Sequence, residues 1–83
     1  MIANEFTYDF RGMQCPMPIV QLSRVVGERQ PGDVLTIVAD DLAFCFDVES
    51  WCRRRGHELV RVEQSEQMCT AVVRVNHKGG DRC

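Results

Sequence analysis

The sequence predicts an α/β fold: a two-layer α/β sandwich in the order β-α-β-α-β-β, with two helices packed on one face of a four-stranded mixed sheet. Three observations lead there. Phe6, Tyr8 and Phe10 alternate with Thr7 and Asp9, the period of a half-buried strand. Val34 to Ala39 is a near-continuous apolar run, too short for a helix and bounded by Pro31-Gly32 and Asp40-Asp41, which marks a central strand. Cys69, Ala71, Val73 and Val75 alternate against Thr70 and Arg74 directly after another strand-like run, so the chain closes with a hairpin.

Taken in order, residues 5 to 10 form the first strand and Arg11 to Gln14 a connection in which Gly12 supplies a backbone angle that other residues resist. The first helix is expected from about Pro16 to Arg29. Ile19, Leu22 and Val26 share its apolar face, and Pro31-Gly32 stops it. After the central strand, Asp40 or Asp41 caps a second helix at 42 to 55, which ends before Gly56. Phe44, Val48, Trp51 and Cys52 fall on one face of it with Cys45 at the edge, a structural placement for both cysteines. His57 to Glu63 make the third strand, Gln64 to Gln67 a turn, and Met68 to Asn76 the fourth strand. His57, beside Gly56, reads as a polar edge residue. The whole chain is expected to be one domain, with 77 to 83 a flexible tail in which Cys83 is a free thiol.

The chemistry concentrates in Asp9-Phe10-Arg11-Gly12-Met13-Gln14-Cys15-Pro16-Met17-Pro18. Proline disfavours helical dihedrals in the residue before it, so Cys15 is expected to be extended, as a helix N-cap is. Pro16 and Pro18 then occupy the first and third helical positions, where a missing N–H costs little. Only Met17 keeps its N–H among the first three, and that donor is expected to point at the Cys15 sulfur. A helix N-terminus stabilises an anion by roughly 0.3–1 kcal/mol, a partial activation of the thiol. A stronger one needs a cation, and Arg11 is the nearest in sequence.

Two features of the second helix lie outside this core. Phe46 sits about 200° from Phe44 on a helical wheel, so the two cannot face one core. Arg53, Arg54 and Arg55 complement the negative end of the helix dipole. As a solvated face they need no function; as a docking surface they suit an acidic partner or RNA phosphate, while Phe46 is either a single exposed apolar residue or part of a docking or dimer patch.

With 83 residues, 45% hydrophobic and 27% charged, the composition is that of an ordinary globular domain. No apolar run approaches the roughly 20 residues of a membrane span, and no basic-then-apolar leader opens the sequence, so a cytoplasmic location is expected. A net charge of −2 argues against general nucleic-acid binding. Five cysteines, an odd count without a C-x-x-C pair, point to reduced thiols rather than a secreted disulfide framework. His57 and His77 are isolated, and no metal-ligand spacing is present.

The ordered set Asp9, Gly12, Cys15, Pro16 and Pro18, followed by Gln30-Pro31-Gly32-Asp33, Ala39-Asp40-Asp41, Trp51-Cys52 and Gly56 to Val60, resembles the TusA/SirA-like sulfur carriers along nearly the whole chain. The resemblance implies that Cys15 accepts sulfane sulfur from a cysteine desulfurase and holds it as a persulfide. A downstream relay protein then takes the sulfur, for 2-thiouridine synthesis in transfer RNA or for another sulfur-trafficking pathway. It implies a monomer acting as co-substrate between partners, a sulfurtransferase without a cofactor. Leu42 stands where many members carry proline, and Phe44-Cys45-Phe46 where small or polar residues are usual, which alters the rim beside the second helix. Two other functions fit the residues. One is a non-catalytic interaction module using Phe46 and the arginines. The other is a thiol redox sensor in which Cys15 is resolved by Cys45 or Cys52.

Overall fold

A computed structural model describes residues 4–14 and 16–76. Six elements follow in order: β1 (Glu5–Asp9), α1 (Met17–Gly27), β2 (Val34–Ala39), α2 (Ala43–Arg55), β3 (Glu58–Ser65) and β4 (Met68–Arg74). This is the expected β-α-β-α-β-β order. The sheet runs β1-β2-β4-β3. β1 lies parallel to β2, from Glu5 opposite Val34 to Asp9 opposite Val38. β4 runs antiparallel to both β2 and β3.

Alternation in the strands selects one face for burial. Leu35, Ile37 and Ala39 of β2 and Cys69, Ala71 and Val73 of β4 point into a single core, where they meet Leu22, Val25 and Val26 of α1 and Phe44, Val48, Trp51 and Cys52 of α2. The Trp51 indole is satisfied within this packing, its Nε1–H donating to Ser23 Oγ at 3.0 Å and so joining the two helices.

Several boundaries differ from expectation for identifiable reasons. α1 ends at Gly27, since the Glu28 and Arg29 N–H groups donate three residues back, to Val25 and Val26, in a tightened last turn. The connection that follows is anchored by Asp33, which is buried and accepts the Gln30 N–H at 2.9 Å. β3 continues to Ser65, leaving only Glu66 and Gln67 as the turn, with Glu66 at φ 51°. An Asn-Gly or Asp-Gly pair would have announced so tight a hairpin, and neither is present. Beyond Arg74 the β2–β4 pairing continues for one residue, Val75 N–H donating to Asp33 O in the same register, and the Asn76 N–H then leaves the ladder for His57 Nδ1. His57 is thus a structural acceptor that also stacks on Trp51, ring centroids 5.2 Å apart.

The second helix begins and ends nearly where expected. Asp41 Oδ1 accepts the Ala43 N–H from just outside the helix, while Gly56 closes it at φ 82° with its N–H on Cys52 O. The expected tail at 77 to 83, including Cys83, lies outside the described residues.

Candidate functional site

At the carboxyl end of β1 the chain turns through a loop that is held from two sides. The buried Phe10 extends the parallel pairing by one bond, its N–H donating to Val38 O at 2.7 Å, and Met13 N–H returns to Phe10 O at 3.2 Å to close a turn. Gly12 sits inside that turn at φ +91°, a region L side chains rarely adopt. Its N–H donates to Asp40 Oδ1 at 3.0 Å, so the loop after β2 grips the loop after β1.

Asp9 and Arg11 form the outer brace. Asp9 Oδ1 accepts from the Arg11 backbone N–H at 3.0 Å and from Nε at 2.9 Å, and Oδ2 accepts from Nη2 at 2.8 Å. The Arg11 side-chain hydrogen bonds, then its backbone N–H, hold the Asp9 carboxyl at about 2, and the same pairing raises the Arg11 guanidinium. Arg11 therefore differs from the expected free cation beside the thiol. Its charge is matched by Asp9, and its clearest contribution is the shape of the loop.

The helix entry is shifted by one residue. Pro16 is the N-cap, with φ −98° and ψ 14°, and its carbonyl receives the first helical bond, from Val20 N–H at 3.1 Å. Met17 and Pro18 are the first and second helical positions. The Met17 N–H donates to Gln14 O at 2.8 Å and so is committed to backbone, where a contact to the Cys15 sulfur was expected. Pro18 is fully buried and anchors the turn, while Pro16 and Met17 are exposed. Cys15 itself lies outside the described residues; its neighbours Gln14 and Pro16 both face solvent.

Gly12, Met13 and Gln14 line an open groove against Asp40, Asp41 and Leu42. A second one lies across Asp40, between Arg11 and the β3–β4 turn of Glu66, Gln67 and Met68. Together the rims carry Asp40, Asp41 and Glu66 against a single arginine that is already paired. Asp40, Glu66 and Gln67 join this site through tertiary contacts alone. Met17 and Val20, both on the first turn of α1, add exposed apolar surface.

The candidate docking residues share one helix, α2, on which Phe46 and Arg53 fall on the same face two turns apart. Phe46 is 69% exposed in the first turn of α2, at the groove end. Arg53, Arg54 and Arg55 occupy its last turn, on the order of 10 Å further along the axis. Arg53 pairs with Glu49 at 3.3 Å, and Arg55 lies 5.7 Å from the Trp51 ring centre.

The cysteines depart from the all-reduced expectation. Cys45 and Cys69 form a disulfide between α2 and β4, so Cys45 is not a resolving partner held ready for Cys15. Cys52 is free and buried, and burial pushes its thiol up to about 12, which makes it a poor nucleophile. Among the described residues no group of three or more side chains has metal-site geometry, and no helix is long and apolar enough to cross a membrane.

The family model described as sulfurtransferase TusA matches residues 6–75, from the second residue of β1 to just past β4. The chain belongs to the TusA family. Two relatives from Neisseria meningitidis, of serogroups A and B, are provisionally named sulfur carrier proteins. Each is 37% identical over 70 residues, covering 84% of this chain and 95% of the relative. A third, from Aquifex aeolicus and named in the same way, is 29% identical over 88% of this chain but only 37% of its own length. The crystal structure of a SirA-like protein from Desulfitobacterium hafniense superposes with a TM-score of 0.72 at 18% identity, covering 86% of this chain and 97% of that one, and thus shares the fold.

Proposed function

We propose that this TusA-family chain is a sulfur carrier in which Cys15 receives sulfane sulfur from a cysteine desulfurase, holds it as a persulfide and passes it to an acceptor protein. Family membership and the names of the relatives support the carrier role. The observation that carries the Cys15 assignment is the frame on either side of it. The Gly12–Asp40 bond and the Asp9–Arg11 brace fix the incoming loop, buried Pro18 fixes the outgoing helix, and the residues flanking Cys15 are exposed. A loop fixed before this position and a helix anchored after it, with exposed residues on both sides, suit a thiol that must enter two different partner sites in turn.

In loading, the Cys15 thiolate attacks the outer sulfur of the donor's cysteine persulfide. A new S–S bond forms on Cys15, the donor S–S bond breaks, and the donor cysteine leaves as a thiolate. Discharge repeats the exchange with the acceptor cysteine as attacker. The acidic groove rim and the apolar Met17 and Phe46 provide the surface against which partners dock. The expected destination is 2-thiouridine in transfer RNA or another sulfur-trafficking pathway, and the expected working form is a monomer in the cytoplasm. Radiolabelled cysteine, a desulfurase and the purified chain test this reading. Label should appear on the chain, leave with thiol reductant, and transfer to an added relay protein; label that stays on the desulfurase would reject it.

A further inference from the structure

A covalent bond joins the two elements that border the neighbouring grooves on either side of Asp40. Cys45 stands in the first turn of α2, three residues after Leu42, and Cys69 follows Met68 at the start of β4. Their Cα atoms are 5.9 Å apart across a sequence separation of 24. Leu42 belongs to the wall facing Gly12–Gln14, and Met68 to the wall on the other side of Asp40. The N–H groups of Ala43, Phe44 and Cys45 all return to Asp41 or Leu42, so these hydrogen bonds shape the start of α2 without tying it to the sheet. The disulfide adds a covalent tie to the sheet.

We propose that Cys45–Cys69 is a redox-controlled clamp on the α2 wall of the groove, closed when oxidised and released when reduced. Its relevance to sulfur transfer rests on the carrier reading, but its chemistry does not involve Cys15. Closure uses a low-molecular-weight disulfide such as oxidised glutathione. Cys45, the less deeply buried residue of the pair at 7% exposed against 0% for Cys69, is assigned as the first attacker. Its thiolate attacks one sulfur of the small disulfide, forming a mixed disulfide and releasing one small thiolate. The Cys69 thiolate then attacks the Cys45 sulfur and expels the second. The two protein thiols lose two electrons and two protons, and the small disulfide becomes two thiols. Reduction by a dithiol reverses the sequence. Cys52, buried and protonated at neutral pH, does not compete for the exchange.

The test equilibrates the wild-type chain and Cys15→Ser in glutathione buffers spanning reducing to oxidising ratios, then quenches with an alkylating agent and maps linked peptides. Hydrogen exchange is followed on the fully oxidised and fully reduced proteins. In both proteins a Cys45–Cys69 peptide pair is expected, and reduction should speed amide exchange at 43–46 and 68–70 by at least about tenfold. The Cys45→Ala/Cys69→Ala variant, once shown to be folded by circular dichroism, should exchange at the fast rate in either buffer. Linkage through Cys52 instead, no linkage at any ratio, or equal exchange in both states would overturn the clamp. A working clamp in a protein that never accepts sulfur on Cys15 would uphold it and reject the carrier reading alone.

Discussion

The Gly12 N–H and the Asp40 carboxylate meet at 3.0 Å across 28 residues of sequence, joining the loops that leave the two parallel strands. Gly12 contributes a backbone angle and Asp40 an acceptor. Asp40→Ala should cost about 1 kcal/mol in urea unfolding, the value of one exposed-edge hydrogen bond, and Asp40→Asn less, because its amide oxygen can still accept. Nothing lies within 4 Å of a Cβ built on Gly12, so Gly12→Ala is penalised by its φ of +91° alone, by roughly 1–2 kcal/mol. Both alanine variants should slow Cys15 loading more than global unfolding explains.

The Asp9–Arg11 pair gives a pH signature. The Asp9 carboxyl falls from 3.8 to about 2 on folding, so its stabilisation is complete above the unfolded value and disappears as pH drops through about 2. A carbon-detected NMR titration of Asp9 should show that low midpoint in the wild type and a return toward the ordinary carboxylate range in Arg11→Gln. An unchanged midpoint in the variant would rule out Arg11 as the cause.

Partner docking should separate the two ends of α2. Phe46→Ala removes a side chain that is 69% exposed and should change stability by less than about 0.5 kcal/mol, yet raise the carrier concentration needed for half-maximal loading. Replacing Arg53 and Arg54 with glutamine, at the far end of the helix, should leave that concentration nearly unchanged. Loading kinetics with a cysteine desulfurase read both.

Cys52 should be silent toward a thiol-reactive chromogen in the native protein at pH 8 and react fully after denaturation, measured in the oxidised Cys15→Ser/Cys83→Ser protein. Because folding raises its pKa to about 12, the neutral thiol favours the fold. Stability from this group is complete below the unfolded value near 9 and declines as pH rises toward 12.

Periodicity carried most of the fold. The alternation of Phe6, Tyr8 and Phe10, the apolar run of β2 and the helical spacing of Leu22 and Val26 each reflect one buried face, and local chemistry marked Gly12 and Gly56. What escaped depends on contacts distant in sequence. Asp40 and Asp41 were equivalent as capping candidates until folding turned Asp40 toward Gly12 and left Asp41 to receive Ala43. The first turn of α1 was misplaced by one residue because the proline rule constrains the residue before Pro16 but does not say which carbonyl Val20 will find. Arg11 is near Cys15 in sequence, yet its guanidinium is spent on Asp9. The Cys45–Cys69 pairing has no spacing signature, since it arises from a helix start and a strand start meeting across the core.

Intact-protein mass spectrometry of the chain and of Cys15→Ser, each incubated with a cysteine desulfurase and cysteine, tests the carrier assignment most directly. A gain of one sulfur atom on the wild type, removed by reductant and absent from the variant, is the expected result. Equal loading of the variant, or no gain with any of several desulfurases, would contradict the assignment of Cys15 as the sulfur-carrying residue.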